Sequence, residues 1–267
     1  VAHFALLDVL LPLPTAELYV GAVLLTASIT QAQVWTDITP NLPGPLSAGD
    51  IGPMTTDGTY LYIIGAGTNG GVARSLDGTT WEAINTVQGA AYDLTTIGQR
   101  FIKYVNGIVW VGSAPGSAEL TLSAVTLHRL TPGQTVWQKS VTSGFPGTAF
   151  SSTTEDIAYD STTGTYYAAS AAGGLYRSTD GYAWTQCHPG GTGDTVVATN
   201  GVILMTLTGA PVQRSTNNGA TWTATASPSG QQGIMLQHKG RVLYPLTGQT
   251  TLQDGLYFSD NLGSSWT

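Results

Sequence analysis

The chain has 267 residues, only 9% of them charged, and it carries 34 glycines. An average soluble protein is about 25% charged, so this is the makeup of a turn-rich all-β protein rather than a helical enzyme. Acidic residues outnumber basic ones 16 to 9, for a formal net charge of −7, and the first 73 residues hold no Lys or Arg, which makes nucleic acid and anionic membranes poor partners.

The stretch from Val1 to Ala32 is apolar but lacks the positive n-region of a signal peptide. Pro12, Pro14 and Glu17 interrupt it, and the remaining apolar run, Leu18 to Ile29, is shorter than the ~20 residues needed to cross a bilayer. Residues 1–33 are therefore expected to form divergent strands of a first blade or a docking arm, with no membrane insertion. The single cysteine, Cys187, excludes an intrachain disulfide framework.

From residue 34 onward the chain repeats. Trp35, Trp81, Trp137, Trp184, Trp222 and Trp266 recur at intervals of 46, 56, 47, 38 and 44 residues, each close to one four-stranded blade of a propeller. Trp110 breaks the series and is expected inside a strand. The phrases before these tryptophans align. Arg-Ser-Leu-Asp-Gly-Thr-Thr-Trp (74–81) contains Ser75, Asp77, Gly78 and Trp81. Arg-Ser-Thr-Asp-Gly-Tyr-Ala-Trp (177–184) contains Ser178, Asp180, Gly181 and Trp184. A form longer by one residue supplies Ser215, Asn217, Gly219 and Trp222, and again Ser259, Asn261, Gly263 and Trp266. A degenerate copy runs from Arg129 to Trp137. An Asp or Asn carbonyl oxygen accepts from backbone N–H groups just ahead of it and closes a turn, and a Gly takes positive φ without steric cost. The Trp then starts the next strand and packs its ring against a neighbour.

Earlier in each repeat Gly58, Gly107, Gly164, Gly201 and Gly240 follow turn-forming residues and precede apolar runs such as Tyr60-Leu-Tyr-Ile-Ile and Val202-Ile-Leu-Met. Each repeat thus reads as about four strands, the middle ones sandwiched between neighbouring blades. Val34-Trp-Thr-Asp-Ile looks like one more outer strand. The expected fold is an all-β propeller over residues 34–267 with about six blades, the alternative being five blades plus an N-terminal arm.

The repeated phrases resemble the Asp-box, or BNR repeat, of sialidase-like β-propellers. The resemblance implies that the boxes lie at the periphery, away from an active face. Sialidases hold a carboxylate with three arginines and use a Tyr–Glu pair and an Asp. Here Arg74, Arg177 and Arg214 directly precede a box serine and Arg129 takes the same place in the degenerate copy. Only Arg100 and Arg241 remain, one too few, and the Arg-Ile-Pro phrase of sialidases is missing. The resemblance is therefore to a propeller without sialidase catalytic residues. Low charge and a Thr/Ala/Gly-rich composition make it similar to phage virion proteins. The expected role is a non-enzymatic module of a virion tail, fibre or capsid decoration, located in a virion or extracellularly. Its partners would be other virion or surface proteins and host glycans. The alternative is a secreted or surface microbial glycan-binding protein or glycoside hydrolase.

Other constellations are weaker. Glu155 and Asp156 are the closest approach to a paired acid and base, but neighbours on a strand face opposite ways. Asp50, Asp93, Asp156 and Asp194 each precede an inner strand, with Gln232 in the comparable place of the last repeat. They read either as a ring of oxygens at the channel mouth, able to hold calcium or a polar ligand, or as local turn caps. No other cofactor is expected. His3, His128, His188 and His238 are scattered, and no spacing suggests zinc. Tyr159, Tyr166, Tyr167, Tyr176 and Tyr182 crowd one repeat, either as interblade packing or as a stacking surface.

Overall fold

The computed structural model describes residues 37–47, 51–65, 70–90, 92–114, 127–140, 153–171, 173–190, 195–207, 209–227, 231–247 and 255–267. The chain divides into two compact units, Val1–Ile38 and Thr39–Thr267, and every element below belongs to the second. The strands or arm expected over residues 1–33 lie outside the described residues.

Among the described residues two short 3₁₀ turns, Thr39–Asn41 and Gly44–Ser47, precede twenty strands in five antiparallel sheets, the blades of a β-propeller. The first blade is β1 (Ile51–Thr56), β2 (Leu61–Gly65), β3 (Val72–Ser75) and β4 (Glu82–Ala83). The second is β5 (Gly98–Val105), β6 (Ile108–Ala114), β7 (Leu127–Leu130) and β8 (Gln138–Lys139). The third is β9 (Thr154–Asp160), β10 (Thr165–Ser170), β11 (Gly174–Ser178) and β12 (Thr185–His188). The fourth is β13 (Val196–Thr199), β14 (Val202–Leu207), β15 (Ala210–Ser215) and β16 (Thr223–Ala224). In the fifth, β17 (Gln231–Gln232) and β18 (Leu236–His238) both pair with β19 (Arg241–Thr247), which pairs with β20 (Gly255–Ser259). Five blades is the alternative count given above. The strands of the expected sixth blade over residues 1–33 lie outside the described residues, as does most of its outer strand, Val34 to Ile38.

Turn chemistry sets the register. Asn106-Gly107, Asn200-Gly201 and Lys239-Gly240 all take positive φ at both positions, as a two-residue hairpin turn that matches strand twist requires. In the second, third and fourth blades the middle strands have apolar side chains on both faces because each face meets another blade; β10 is buried along its whole length. The core is accordingly a series of layers. Val72 and Tyr62 meet Ile102 and Val111 between blades one and two. Trp110 and Phe101 meet Tyr166 and Ile157 between two and three. Tyr167 and Leu175 meet Val196 and Met205 between three and four. Leu204 and Val212 meet Tyr244 and Val242 between four and five. On the other face of the first blade Leu42 and Leu46 cover Ile63, Ala73 and Trp81.

The repeated turns are built alike. The N–H groups of Gly78, Gly181, Gly219 and Gly263 donate to the preceding serine hydroxyl at 2.8, 2.9, 3.0 and 2.8 Å. Asp77 accepts from the N–H groups of Thr79 and Thr80, and Asp180 from those of Tyr182 and Ala183. In the longer form Asn217 and Asn261 each accept one N–H, from Thr221 and Ser265, and donate their amide to the same residue's hydroxyl. Asn218 and Leu262, the inserted residues, take positive φ.

Two side chains per repeat then stitch blade to blade. Indole N–H groups reach back to the outer strand of the preceding blade: Trp137 donates to Ile84 O, Trp184 to Ser140 O, Trp222 to Cys187 O and Trp266 to Thr225 Oγ1. Trp81, in the first blade, donates to Gly78 O of its own turn. Arginines reach forward to the next turn: Arg74 to Gln134 O, Arg129 to Asp180 O, Arg177 to Asn218 O and Arg214 to Leu262 O. Gly181 sits so close to Trp110 that a Cβ there would fall 2.8 Å from the ring. The glycine serves both the positive φ and the interblade approach.

Candidate functional site

The inner strands β5, β9, β13 and the segment entering β18 wall a cavity of about 250 Å³. Ile157, Val197, Met235 and Leu236 give it an apolar wall, and Lys103, Tyr159 and Gln237 its polar points.

Its one described ion pair is already spoken for. Lys103 Nζ donates to Asp156 Oδ1 at 2.9 Å. Asp156 is buried and also accepts from Ile157 N at 2.8 Å, Thr195 Oγ1 at 2.9 Å and Val196 N at 3.0 Å. The carboxylate therefore ties the second, third and fourth blades together at the axis. Glu155 points the other way on β9 and accepts from Thr153 Oγ1. Asp93 accepts from Thr95 N at 2.8 Å and from the Thr95 hydroxyl, which is local turn capping. Asp50 and Asp194 lie outside the described residues. Among the described residues no group of three or more His, Cys, Asp or Glu side chains comes together.

The other polar candidates are dispersed. His128 is fully buried, its Nε2 2.9 Å from the Tyr92 hydroxyl. Burial and then the Lys139 charge lower its pKa to about 3, so it is neutral. Burial pushes the Cys187 thiol up to about 12, which removes it as a thiolate nucleophile. His188 stands edge-on to Trp222. The tyrosines pack between blades: Tyr166 lies against Trp110 and Tyr159, Tyr167 hydroxyl donates to Asn218, and Tyr182 stacks under Arg129. The four box arginines were placed at the periphery by the sequence; what spacing alone did not reveal is that each one reaches the following turn. The signal was present, since Arg74, Arg177 and Arg214 each stand directly before a box serine and Arg129 takes the same place before Leu130.

No protein-family model and no curated protein matches the chain. Solved structures do. A GH74 xyloglucanase from Xanthomonas campestris matches at TM-score 0.63 and 18% identity over 89% of this chain and 41% of that one. The extracellular domain of a B. thetaiotaomicron protein classed as a one-component system matches at TM-score 0.59 and 12% identity, over 79% of this chain and 27% of that one. YCF48 bound to D1 peptide matches at TM-score 0.53 and 16% identity, over 85% and 68%. The chain spans about a quarter of the extracellular domain and under half of the xyloglucanase. At these identities the likeness is one of architecture: the chain shares the β-propeller fold with all three.

Proposed function

We propose that this chain is a non-catalytic Asp-box propeller module that builds or decorates an extracellular particle, most plainly a virion, and presents a rigid wheel to protein and glycan partners. One observation carries the reading: from Asp57 onward, each described carboxylate already has a structural partner. Asp57, Asp77, Asp93, Asp160 and Asp180 cap turns, Asp156 bridges blades, Glu155 accepts from Thr153, and Glu82 and Asp260 pair with arginines. A glycosidase needs two carboxyls free to face one bond from opposite sides, about 5–9.5 Å apart. The turn geometry supports the Asp-box assignment, since Ser, Asp or Asn, and Gly play one role each in all four good copies.

The likeness to a xyloglucanase favours a second reading, a surface glycan-binding protein or glycoside hydrolase, at the level of fold. Mass spectrometry of virus particles purified from cultures that produce this chain distinguishes the two. Recovery of this chain among the particle proteins supports the virion reading. Recovery only among secreted proteins induced by a polysaccharide overturns it.

A further inference from the structure

The repeats act as controls for one another, and at one place the first blade departs from all the others. A cavity of about 390 Å³ opens at its outer rim, beside the turn of residues 75–81. Three of its lining residues, Tyr60, Leu76 and Glu82, occupy repeat positions whose occupants elsewhere are different in kind. Tyr60 precedes the strand residue opposite Ser75; Ile108, Thr165, Val202 and Arg241 stand there in the other blades. Glu82 lies opposite Arg74, where the others have Gln138, Thr185, Thr223 and Thr267. Leu76 follows Ser75, where the others have Thr131, Thr179, Thr216 and Asp260. All three differ together, and all three line one cavity.

The walls are amphipathic. Leu76, 66% exposed, and the partly buried Trp81 and Tyr60 supply apolar surface. Glu82 uses Oε2 for Arg74 and keeps its side chain 57% exposed. Asp77 is fixed by the N–H groups of Thr79 and Thr80, which hold its carboxyl well below the usual range and so keep it anionic. Arg74 is spent on Glu82 and Gln134 O and lies 4.4 Å over the Tyr60 ring. It locks Tyr60 and Glu82 in place and has no fork left for an acid. Nearby acceptors beside an apolar wall suit a ring with hydroxyl donors on its edge and C–H groups on its face. A second cation would meet the Arg74 charge and find the Tyr60 face occupied.

We propose that this rim cavity is a binding site for a neutral sugar ring, stacked on Trp81 and Leu76 and hydrogen-bonded by Glu82, Asp77 and Thr80. The site deepens the binding-module reading and rests on it. It selects against sialic acid and uronates, because two carboxylates face the ligand and the one guanidinium is engaged.

The test is a glycan array followed by calorimetry, with neutral oligosaccharides and their sialylated and uronate counterparts, on the full chain. Leu76→Trp fills the cavity from an exposed position, and Thr179→Trp makes the same change at the matching place of the third blade. The expected result is binding of neutral glycans only, weakened about tenfold or more by Leu76→Trp and by Glu82→Gln, and unchanged by Thr179→Trp, with circular dichroism identical throughout; tenfold corresponds to about 1.4 kcal/mol. Absence of neutral-glycan binding, equal binding of acidic glycans, preference for a cationic peptide, or binding that survives Leu76→Trp would each overturn the site. Failure here leaves the non-catalytic reading standing. Cleavage of the bound sugar would sink that reading while leaving the site.

Discussion

Replacing Trp184 probes the stitching directly. Its ring is 2% exposed, packed with Trp110, Tyr166 and Tyr176 in the layer between blades two and three, and its N–H donates to Ser140 O at 3.0 Å. Trp184→Ala removes a buried aromatic and leaves a cavity, a loss of ~3–5 kcal/mol. Trp184→Phe keeps most of the packing but deprives the Ser140 carbonyl of that donor in a fully buried setting, a loss of ~1–3 kcal/mol. Trp222 is partly exposed and shares its N–H between Cys187 O and Gly219 O, so Trp222→Ala should cost less than Trp184→Ala. The assay is urea unfolding followed by far-ultraviolet circular dichroism, which avoids the tryptophan signal being altered. A Trp184→Ala loss below about 0.5 kcal/mol, the range of ordinary surface changes, or a Trp222→Ala loss as large as that of Trp184→Ala, would show that the indole does not stitch the blades.

The turn bonds predict a smaller effect: Asp180→Ala should cost ~1 kcal/mol, read as a shift of the urea midpoint at constant slope. His128 gives a pH dependence. Its folded pKa, about 3, lies below the ordinary 6.5, so the stability tied to its neutral form is complete above about pH 6.5 and is lost as pH falls toward 3. His128→Gln should flatten that part of the curve of Tm against pH, and an unchanged curve would deny the group its role. Asp156→Asn should lower Tm with or without chelator, since Lys103, Thr195, Ile157 and Val196 already occupy the carboxylate. A calcium-dependent rise in Tm that disappears in Asp93→Asn with Asp156→Asn would instead restore the channel-mouth ring.

What the sequence made legible was local. Tryptophan spacing, Ser-x-Asp turns and Asn-Gly hairpins are short-range devices, and they located the repeated turns and most of the blades, down to the burial of the middle strands. What stayed hidden was long-range. Asp156 takes its partners from 39 and 53 residues away, so no window around it distinguishes a bridge from a ligand ring. The same holds for Arg129 and Asp180, 51 residues apart. The divided inner strand of the fifth blade was equally illegible. There Gly233 approaches Pro245 so closely that a Cβ would fall 2.7 Å from its ring, and the pairing switches from β17 to β18 around that point. The rim cavity could have been suspected from the aligned phrases, because Leu76 stands where the other copies carry Thr or Asp.

The proposed role requires that no carboxylate of the chain hydrolyses a glycosidic bond, including those that bind a sugar at the rim. A panel of fluorogenic glycosides, including a sialoside, together with xyloglucan, incubated with a high concentration of the chain, tests it most directly. No turnover above the uncatalysed rate is expected. Turnover that disappears in Glu155→Gln, a substitution on the partly exposed side of β9, would contradict it and place catalysis on that strand.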